Sequence, residues 1–210
     1  MVPPEDSQLL DTATRLFAAM GYDGTPIEQI AEAAGVGVAD LRRAFGGKRE
    51  LYLAVMERCH QTERASLDKD LAQISCADPA AFARSIHFLI DGYIDFAAEH
   101  PYIHALWMHR WLSDAIDVEE LESRYARPLY TAILETLQPG VAAGYIGSDV
   151  DVEYVLHSLM WCVHGFGQGG VPDSGRNGFS DPRALHRFRA NMHQMVHRAL
   201  RLPEDHEPRF

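Results

Sequence analysis

Apolar residues return at helical spacing along almost the whole chain, and no stretch alternates as a half-buried strand would. From Ser7 to Met20 they fall at Leu9, Ala13, Leu16, Phe17 and Met20, one face of a helix that Gly21 is expected to close in the left-handed conformation. Thr25-Pro26-Ile27-Glu28 reads as a full start signal, with threonine at the N-cap, proline at the first helical position and glutamate completing a capping box. Gly35 ends that helix early, and a short turn leads into another from Val38 to Phe45. A long helix is predicted from Lys48 to about Ser75. The Asp78-Pro79 cap then opens one with the stripe Phe82, Ile86, Leu89, Ile90, Tyr93 and Phe96. His100-Pro101 restarts the chain into a short aromatic helix ending near Leu112. Between Val118 and Gln138 the period holds, although Pro128 must kink or split it, and Pro139-Gly140 breaks it again. Two helices close the chain. One, from Val152 to Phe166, presents Val152, Val155, Leu156, Leu159 and Val163; the other, opened by Asp181-Pro182, presents Leu185, Phe188, Met192, Met195, Val196 and Ala199. The intervening GQGGVPDSGRNGFS is expected to be a glycine-rich loop.

The fold class is therefore all-α. Three short helices form an N-terminal helix-turn-helix module over 1–52, and a larger helical bundle occupies 53–210. The helix starting at Lys48 is expected to serve both, as a lever.

Composition narrows this picture. With 210 residues, 47% of them hydrophobic, the chain can bury a sizeable core. Its formal net charge of -11 argues against a surface coated in basic groups, yet only the face that meets a nucleic acid has to be positive. Cys59, Cys76 and Cys162 form no CxxC pair and lie in apolar patterns, as buried thiols of a reducing compartment would. No apolar run approaches the ~18 residues of a membrane span, and MVPPEDS lacks the basic start and apolar core of a signal peptide. A cytoplasmic protein without membrane contact is expected.

LLDTATRLFAAMGYDGTPIEQIAEAAGVGVADLRRAFGGKRELYLAV, from Leu9 to Val55, resembles the N-terminal domain of TetR-type transcriptional regulators. The matching marks include Leu16-Phe17, Gly21-Tyr22, Thr25, Ile30-Ala31, Ala34-Gly35-Val36, Leu41, Phe45, Lys48 and Leu51. More loosely, AAEHPYIHAL resembles that family's junction between its fifth and sixth helices, and GVAAGYIGSDVDVEYVLHSLMWCVHG its seventh-to-eighth helix region. The resemblance implies an all-helical homodimer that pairs the last two helices of each subunit and holds an inducer among the middle helices.

A helix-turn-helix reads DNA by placing its second helix in the major groove while helix N-termini hold phosphates. Thr25 and Pro26, at one such N-terminus, and Lys48, at another, are the expected phosphate anchors. Gly37, Val38, Asp40, Arg42 and Arg43 belong to the reading helix. This helix departs from the family pattern: Gly37 stands where a serine or threonine cap is usual, Val38 replaces a common lysine, and Asp40 brings an acid to the DNA face. Asp40 suits the first turn of a helix and could accept from a cytosine amine, but it would repel a phosphate. Through Tyr52 the chain carries eight acids and five bases, a net -3, with four of the bases gathered between Arg42 and Arg49. Such a module should bind DNA weakly outside its own site and with a steep salt dependence.

Other patterns carry less. GFGQGG, Gly165 to Gly170, matches the dinucleotide fingerprint in letters only, since a helix precedes it where a strand is required; a loop is expected instead. His100 with His104, and His193 with His197, are spaced to share a helical face, but neither pair shows a third metal ligand in the sequence. Glu57 and His60 make a single Glu-x-x-His, where a di-iron bundle needs two. No catalytic residue, metal or cofactor is expected. Most of the middle-helix aromatics (Phe82, Phe88, Tyr93, Phe96 and Tyr102 among them) read as core. An effector cavity would be lined by Phe96, Trp107, Trp111 and Trp161, with His104, Tyr130 or His157 as polar handles, and would suit a hydrophobic or aromatic small molecule. The functional expectation is a ligand-responsive homodimeric repressor of a near-palindromic DNA operator. The alternative is a helical ligand- or partner-binding dimer whose DNA module is vestigial.

Overall fold

The computed structural model describes residues 4–171 and 178–203. Among them are nine α-helices and no strand: α1 (Pro4–Met20), α2 (Ile27–Ala34), α3 (Val38–Phe45), α4 (Lys48–Leu71), α5 (Pro79–Glu99), α6 (Pro101–Trp111), α7 (Arg127–Ala142), α8 (Val152–Gly169) and α9 (Pro182–Leu200). The all-α class holds. None of these helices is long and apolar enough to cross a membrane. The chain forms two compact units. The first joins the residues up to Thr62 with His100–Ala126; the second joins Glu63–Glu99 with the chain from Arg127 onward. Helix α4 contributes to both. These units are divided by packing, whereas the boundary expected after residue 52 would separate a functional module.

In the first unit α1 buries Leu9, Leu10, Ala13 and Phe17 and packs on α2 and α6. Its end is set at Gly21, whose φ of 76° is left-handed and whose N–H bonds the carbonyl of Phe17. Phe17 meets the edge of Tyr52 at 5.1 Å between centroids, and Tyr22 lies 4.8 Å from the same ring, so three aromatics lock α1, the turn after it and α4 together. Leu41, fully buried, is the anchor that holds α3 against this core.

In the second unit α5 buries ten of its residues and leaves a stripe with Arg84, Phe88 and Asp95 exposed. Helices α8 and α9 pack on it. Phe82, Ile86, Ile90 and Ile94 share one core with Leu137, Leu159, Val163, Met192 and Val196. Each such side chain stabilises the fold by about 1.5–3 kcal/mol on full burial. Asp151 caps α8 by accepting from the amide of Tyr154 at 2.9 Å, and Asp181 caps α9 through the amides of Arg183 and Ala184. Cys59 is buried and Cys76 and Cys162 are half-buried.

Several expectations need correction. Helix α4 stops at Leu71, short of Ser75, because the amides of Gln73 and Ile74 turn back to carbonyls three residues earlier. The break at Pro128 takes the form of a π-helical turn over Glu122–Ala126, after which α7 restarts with the proline as its second residue, where no intrahelical N–H is required. Pro139-Gly140 does not end α7, which runs on to Ala142. The bare face of Gly140 lies directly against the Phe82 ring, and that packing outweighs the lost hydrogen bond. GFGQGG is not a loop at its start either: α8 continues through Gly169 because Phe166 is buried and stacks on Phe188 at 4.0 Å. Residues 172–177 of the expected loop lie outside the described residues. Of the aromatics read as core, Phe82, Phe96 and Trp107 are buried, whereas Phe88, Trp111 and Trp161 are exposed.

A Cβ at Gly140 would overlap a ring carbon of Phe82. Gly140→Ala should therefore destabilise the protein by about 1–3 kcal/mol, despite alanine's better helix propensity. Urea unfolding measures it; an unchanged or higher midpoint would show that the Phe82 ring yields.

Candidate functional site

The helix-turn-helix geometry begins at the turn between α1 and α2. Asp114, in the loop after α6, directs its carboxylate at this turn and accepts from the amides of Tyr22 at 2.6 Å and Asp23 at 2.8 Å. Asp23 returns the contact by accepting from the amide of Ala115 at 3.3 Å. Gly21 is needed here twice over: its φ is left-handed, and a Cβ would meet the Asp114 carboxylate at 3.0 Å. The loop that delivers Asp114 is held in turn by Arg110. That side chain donates to the carbonyls of Asp114 and Ala115 and grips both carboxylate oxygens of Glu122, at 2.7 and 3.1 Å. Hydrogen bonding to Arg110 holds the Glu122 carboxyl below its ordinary range, and the Arg110 guanidinium is raised by the same bonds. Ser113 and Ala115 both have positive φ, at 69° and 53°, a conformation these residues adopt only when the surroundings fix it. Nothing in the sequence pattern marks Asp114 for this role, because its partners lie 91 and 92 residues away.

Thr25 does not cap α2. Pro26 occupies the N-cap, with no side-chain cap bond, and the Thr25 hydroxyl is fully buried and donates to the carbonyl of Gly21 at 2.5 Å. The left-handed residue leaves that carbonyl pointing inward, where a buried hydroxyl satisfies it. Pro26 itself accepts the amides of Gln29 and Ile30, so Ile27 and Glu28 are the amides at this N-terminus without an intrahelical acceptor.

Helix α3 has the expected bounds, with Gly37 as its N-cap and Val38 half-buried beside Leu41. Ala39, Asp40, Arg42, Arg43 and Ala44 face solvent. Asp40 is bound by Arg43 at 2.7 Å, both side chains being largely exposed, and its other oxygen would stand 3.1 Å from a Cβ at Gly37. The Arg42 guanidinium forms no hydrogen bond or ion pair among the described residues, while its carbonyl accepts from the amide of Gly46. The ammonium of Lys48 lies over the Tyr22 ring, 4.4 Å from its centre, a contact of roughly 0.5–1 kcal/mol that offsets placing a cation at a helix N-terminus. Arg49 pairs with Glu120 at 2.6 Å. Of the four bases gathered between Arg42 and Arg49, two are thus neutralised by acids and two are not.

The expected effector residues divide between the units. His104, Trp107 and Trp111 lie on α6 in the first, where His104 and Trp107 are buried and Trp111 is exposed. Phe96, Tyr130, His157 and Trp161 lie in the second. There the Tyr130 ring lies flat on His157, centroids 4.4 Å apart and planes 3° from parallel, and His157 meets Trp161 at 5.9 Å. The Tyr130 hydroxyl donates to the sulfur of Met160. Phe96 is buried on α5.

The histidine pairs find partners that spacing alone does not reveal. His193 and His197 both meet His87 of α5, at 2.7 and 3.2 Å, and His193 also reaches Asp91 at 2.9 Å. One set of tautomers satisfies all three contacts: His197 donates to His87, His87 to His193, and His193 to Asp91. Burial holds His104 well below the ordinary imidazole range, at about 4.

Three comparisons place this geometry. The sequence profile described as "Bacterial regulatory proteins, tetR family" matches residues 9–55. The HTH-type transcriptional regulator BetI of Brucella abortus is 30% identical over 170 residues, 76% of this chain and 82% of that protein. The HTH-type transcriptional activator FasR of Mycolicibacterium smegmatis is 43% identical over 51 residues, 24% of this chain and 23% of that one. Among solved structures, the TetR family transcriptional regulator PfmR from Thermus thermophilus superposes with a TM-score of 0.66 at 20% identity, covering 91% of this chain and 98% of that one. That likeness is one of fold.

His104 gives a pH test. Its folded pKa lies below the unfolded value of 6.5, so the unfolded chain binds more protons between them, and stability should fall as pH drops from about 6.5 through 4. Thermal unfolding of His104→Phe should lose that component of the acid sensitivity; an unchanged pH profile would place the burden on other groups.

Proposed function

Because this chain belongs to the TetR family of bacterial regulatory proteins, and with it to the DNA-binding transcriptional regulators, we propose that it acts as a homodimeric repressor of a near-palindromic operator, released by a small apolar or aromatic effector held in its second unit. The observation that carries the DNA-reading part is the exposed, unengaged guanidinium of Arg42 on α3, the group best able to take a guanine edge or a phosphate. Lys48 and the free amides at the start of α2, beside Pro26, supply phosphate contacts, with Gly37 and Val38 bringing the backbone of α3 close. Thr25 acts from behind, by setting the turn that aims those amides. Two such reading helices would sit about 34 Å apart, one turn of DNA.

Helices α8 and α9 are the proposed dimer surface. Tyr154 is 63% and Trp161 48% exposed on α8, the two rings meet edge to face, and a Cβ at Gly165 or Gly169 would find open space. Exposed apolar faces of this kind support association with a second copy. Effector binding can shift the protein only through a differential affinity for two states. The bonds from Asp114 to the turn before α2 are the proposed output: any movement at the end of α6 is felt at the amides of Tyr22 and Asp23.

The Asp40–Arg43 bridge favours a second reading, a ligand- or partner-binding dimer with a vestigial DNA module. Fluorescence anisotropy against DNA flanking the protein's own gene separates the two. Arg42→Ala should weaken specific binding by roughly tenfold or more, while Asp40→Asn, by freeing Arg43, should strengthen binding at low salt. Wild type and Arg42→Ala behaving alike on these fragments and in a random-site selection would favour the vestigial module. In sedimentation, Trp161→Glu should shift dimer to monomer and lower operator affinity with it.

A further inference from the structure

Three histidines of the second unit make a continuous line of contacts between α5 and α9. His87 of α5 stands between the two rings of α9: its Nδ1 is 2.7 Å from Nδ1 of His193, and its Nε2 is 3.2 Å from Nδ1 of His197. Nε2 of His193 lies 2.9 Å from the Asp91 carboxylate, which Arg189 also grips at 2.6 Å. His87 and His193 are buried, and His197 and Asp91 at the two ends are half-buried. Other charged groups flank the array. Asp95 shares Arg189, and Asp70 of α4 lies against Gly92, the neighbour of Asp91. Helix α8, packed on both α5 and α9, brings the buried His164 and the half-buried Cys162, whereas the turn Gly178–Ser180 on α9 brings no titratable side chain. The ring nitrogens pair off one to one and do not converge on a point; no group of three or more His, Cys, Asp or Glu side chains among the described residues could hold a metal ion.

Each facing pair of nitrogens holds its bond with one hydrogen, no more and no fewer. With the three rings neutral, His193 donates from Nε2 to Asp91, its Nδ1 accepts from His87, and Nε2 of His87 accepts from His197. One added proton fits without breaking any of these contacts. It enters on Nε2 of His197; the Nδ1 hydrogen of His197 passes to Nε2 of His87, and the Nδ1 hydrogen of His87 passes to Nδ1 of His193. The charge then rests on His193 beside Asp91, and all three contacts persist with two of them reversed. A second added proton sets two N–H groups face to face. The longer bond, from His87 to His197, is the one that yields. We propose that this array is a proton-operated latch between α5 and α9, closed with none or one added proton and opened at its His197 end by a second. Because α9 forms half of the proposed dimer surface, acid would then separate the subunits and lower operator affinity, a consequence that rests on that reading.

Hydrogen exchange and imidazole nitrogen-15 spectra of the full chain test the latch. Spin coupling across both shared hydrogens, His87 to His193 and His87 to His197, should be present near neutral pH. In acid the coupling to His197 should vanish first. The open form frees an imidazole that protonates near its ordinary pKa of about 6.5, so it binds one proton more than the closed form below that pH. The closed form therefore loses ground as pH falls, and amide protection factors in the last two turns of α9 should drop about tenfold per pH unit below about 6.5. His197→Gln keeps a side chain able to bond His87 but unable to titrate, and its protection in those turns should stay flat over the same interval. If that variant fails to fold, the couplings and the wild-type profile decide alone. Absence of both couplings at every pH, unchanged protection in wild type down to pH 5, or an equal loss in His197→Gln would overturn the proposal. Sedimentation should show the wild-type dimer dissociating over the same pH range while His197→Gln remains dimeric. A latch that opens while the dimer persists would overturn the α8–α9 dimer reading and leave the latch standing.

Discussion

Two backbone amides and one carboxylate set everything the first unit can present to DNA. The Tyr22 and Asp23 N–H groups, at the turn after α1, bond the side chain of Asp114 from the loop after α6. Hydrogen bonds to a charged acceptor are among the stronger ones in proteins, and here two share one carboxylate. The turn they fix turns the Gly21 carbonyl inward to the Thr25 hydroxyl, starts α2 at Ile27 and thereby sets the angle at which α3 follows. Gly21 is the residue that admits this arrangement, since a side chain there would collide with Asp114. The strained backbone at Ser113 and Ala115 shows where the cost is stored, and the bidentate grip of Arg110 on Glu122 shows what keeps it in place.

The reading surface built on that turn is electrically restrained. Arg43 is tied to Asp40 and Arg49 to Glu120, both in exposed pairs worth at most about 1 kcal/mol. Pairs this weak do not remove the bases; they make each available only after an acid has been displaced. Phosphates can win that exchange when the rest of the interface fits, and not otherwise. On the proposed reading, the acids in the head would act as a filter on sequence-independent binding, and Arg42 would be the group that commits without such a cost. Lys48, seated on the Tyr22 ring, holds a fixed position that a freely rotating lysine would not.

The second unit solves a different problem. Helix α5 buries most of its apolar residues, and its polar ones find partners on α9: the buried His87 with His193 and His197, and the part-exposed Asp91 with His193 and Arg189. Hydrogen bonding to His193 and Arg189 outweighs burial and holds the Asp91 carboxyl below its ordinary range. Glu63 and Asp70 form no ion pair among the described residues, and burial drives their pKa values the other way. Carboxylates of one unit thus have opposite fates, decided by whether a basic side chain stands beside them.

Helix periodicity and start signals made the all-α class, the bounds of α3 and the start of α9 at Asp181-Pro182 legible in the sequence, because each rests on residues within a turn or two of one another. Helix α3 was legible for the same reason, its bounds following from eight consecutive residues around Leu41. What the sequence could not show was the outcome of contests between local preference and distant packing. Thr25 has the chemistry of an N-cap, but the carbonyl of a left-handed glycine claimed its hydroxyl. Pro139 and the glycines at the end of α8 are helix breakers by themselves, yet Phe82 against Gly140 and Phe166 against Phe188 hold those turns helical. Asp114 and Glu63 look like ordinary acids in the sequence. Only the tertiary structure gave one of them two amides and buried the other with no ion pair among the described residues, because burial and partnership are properties of neighbours that the chain brings from far away.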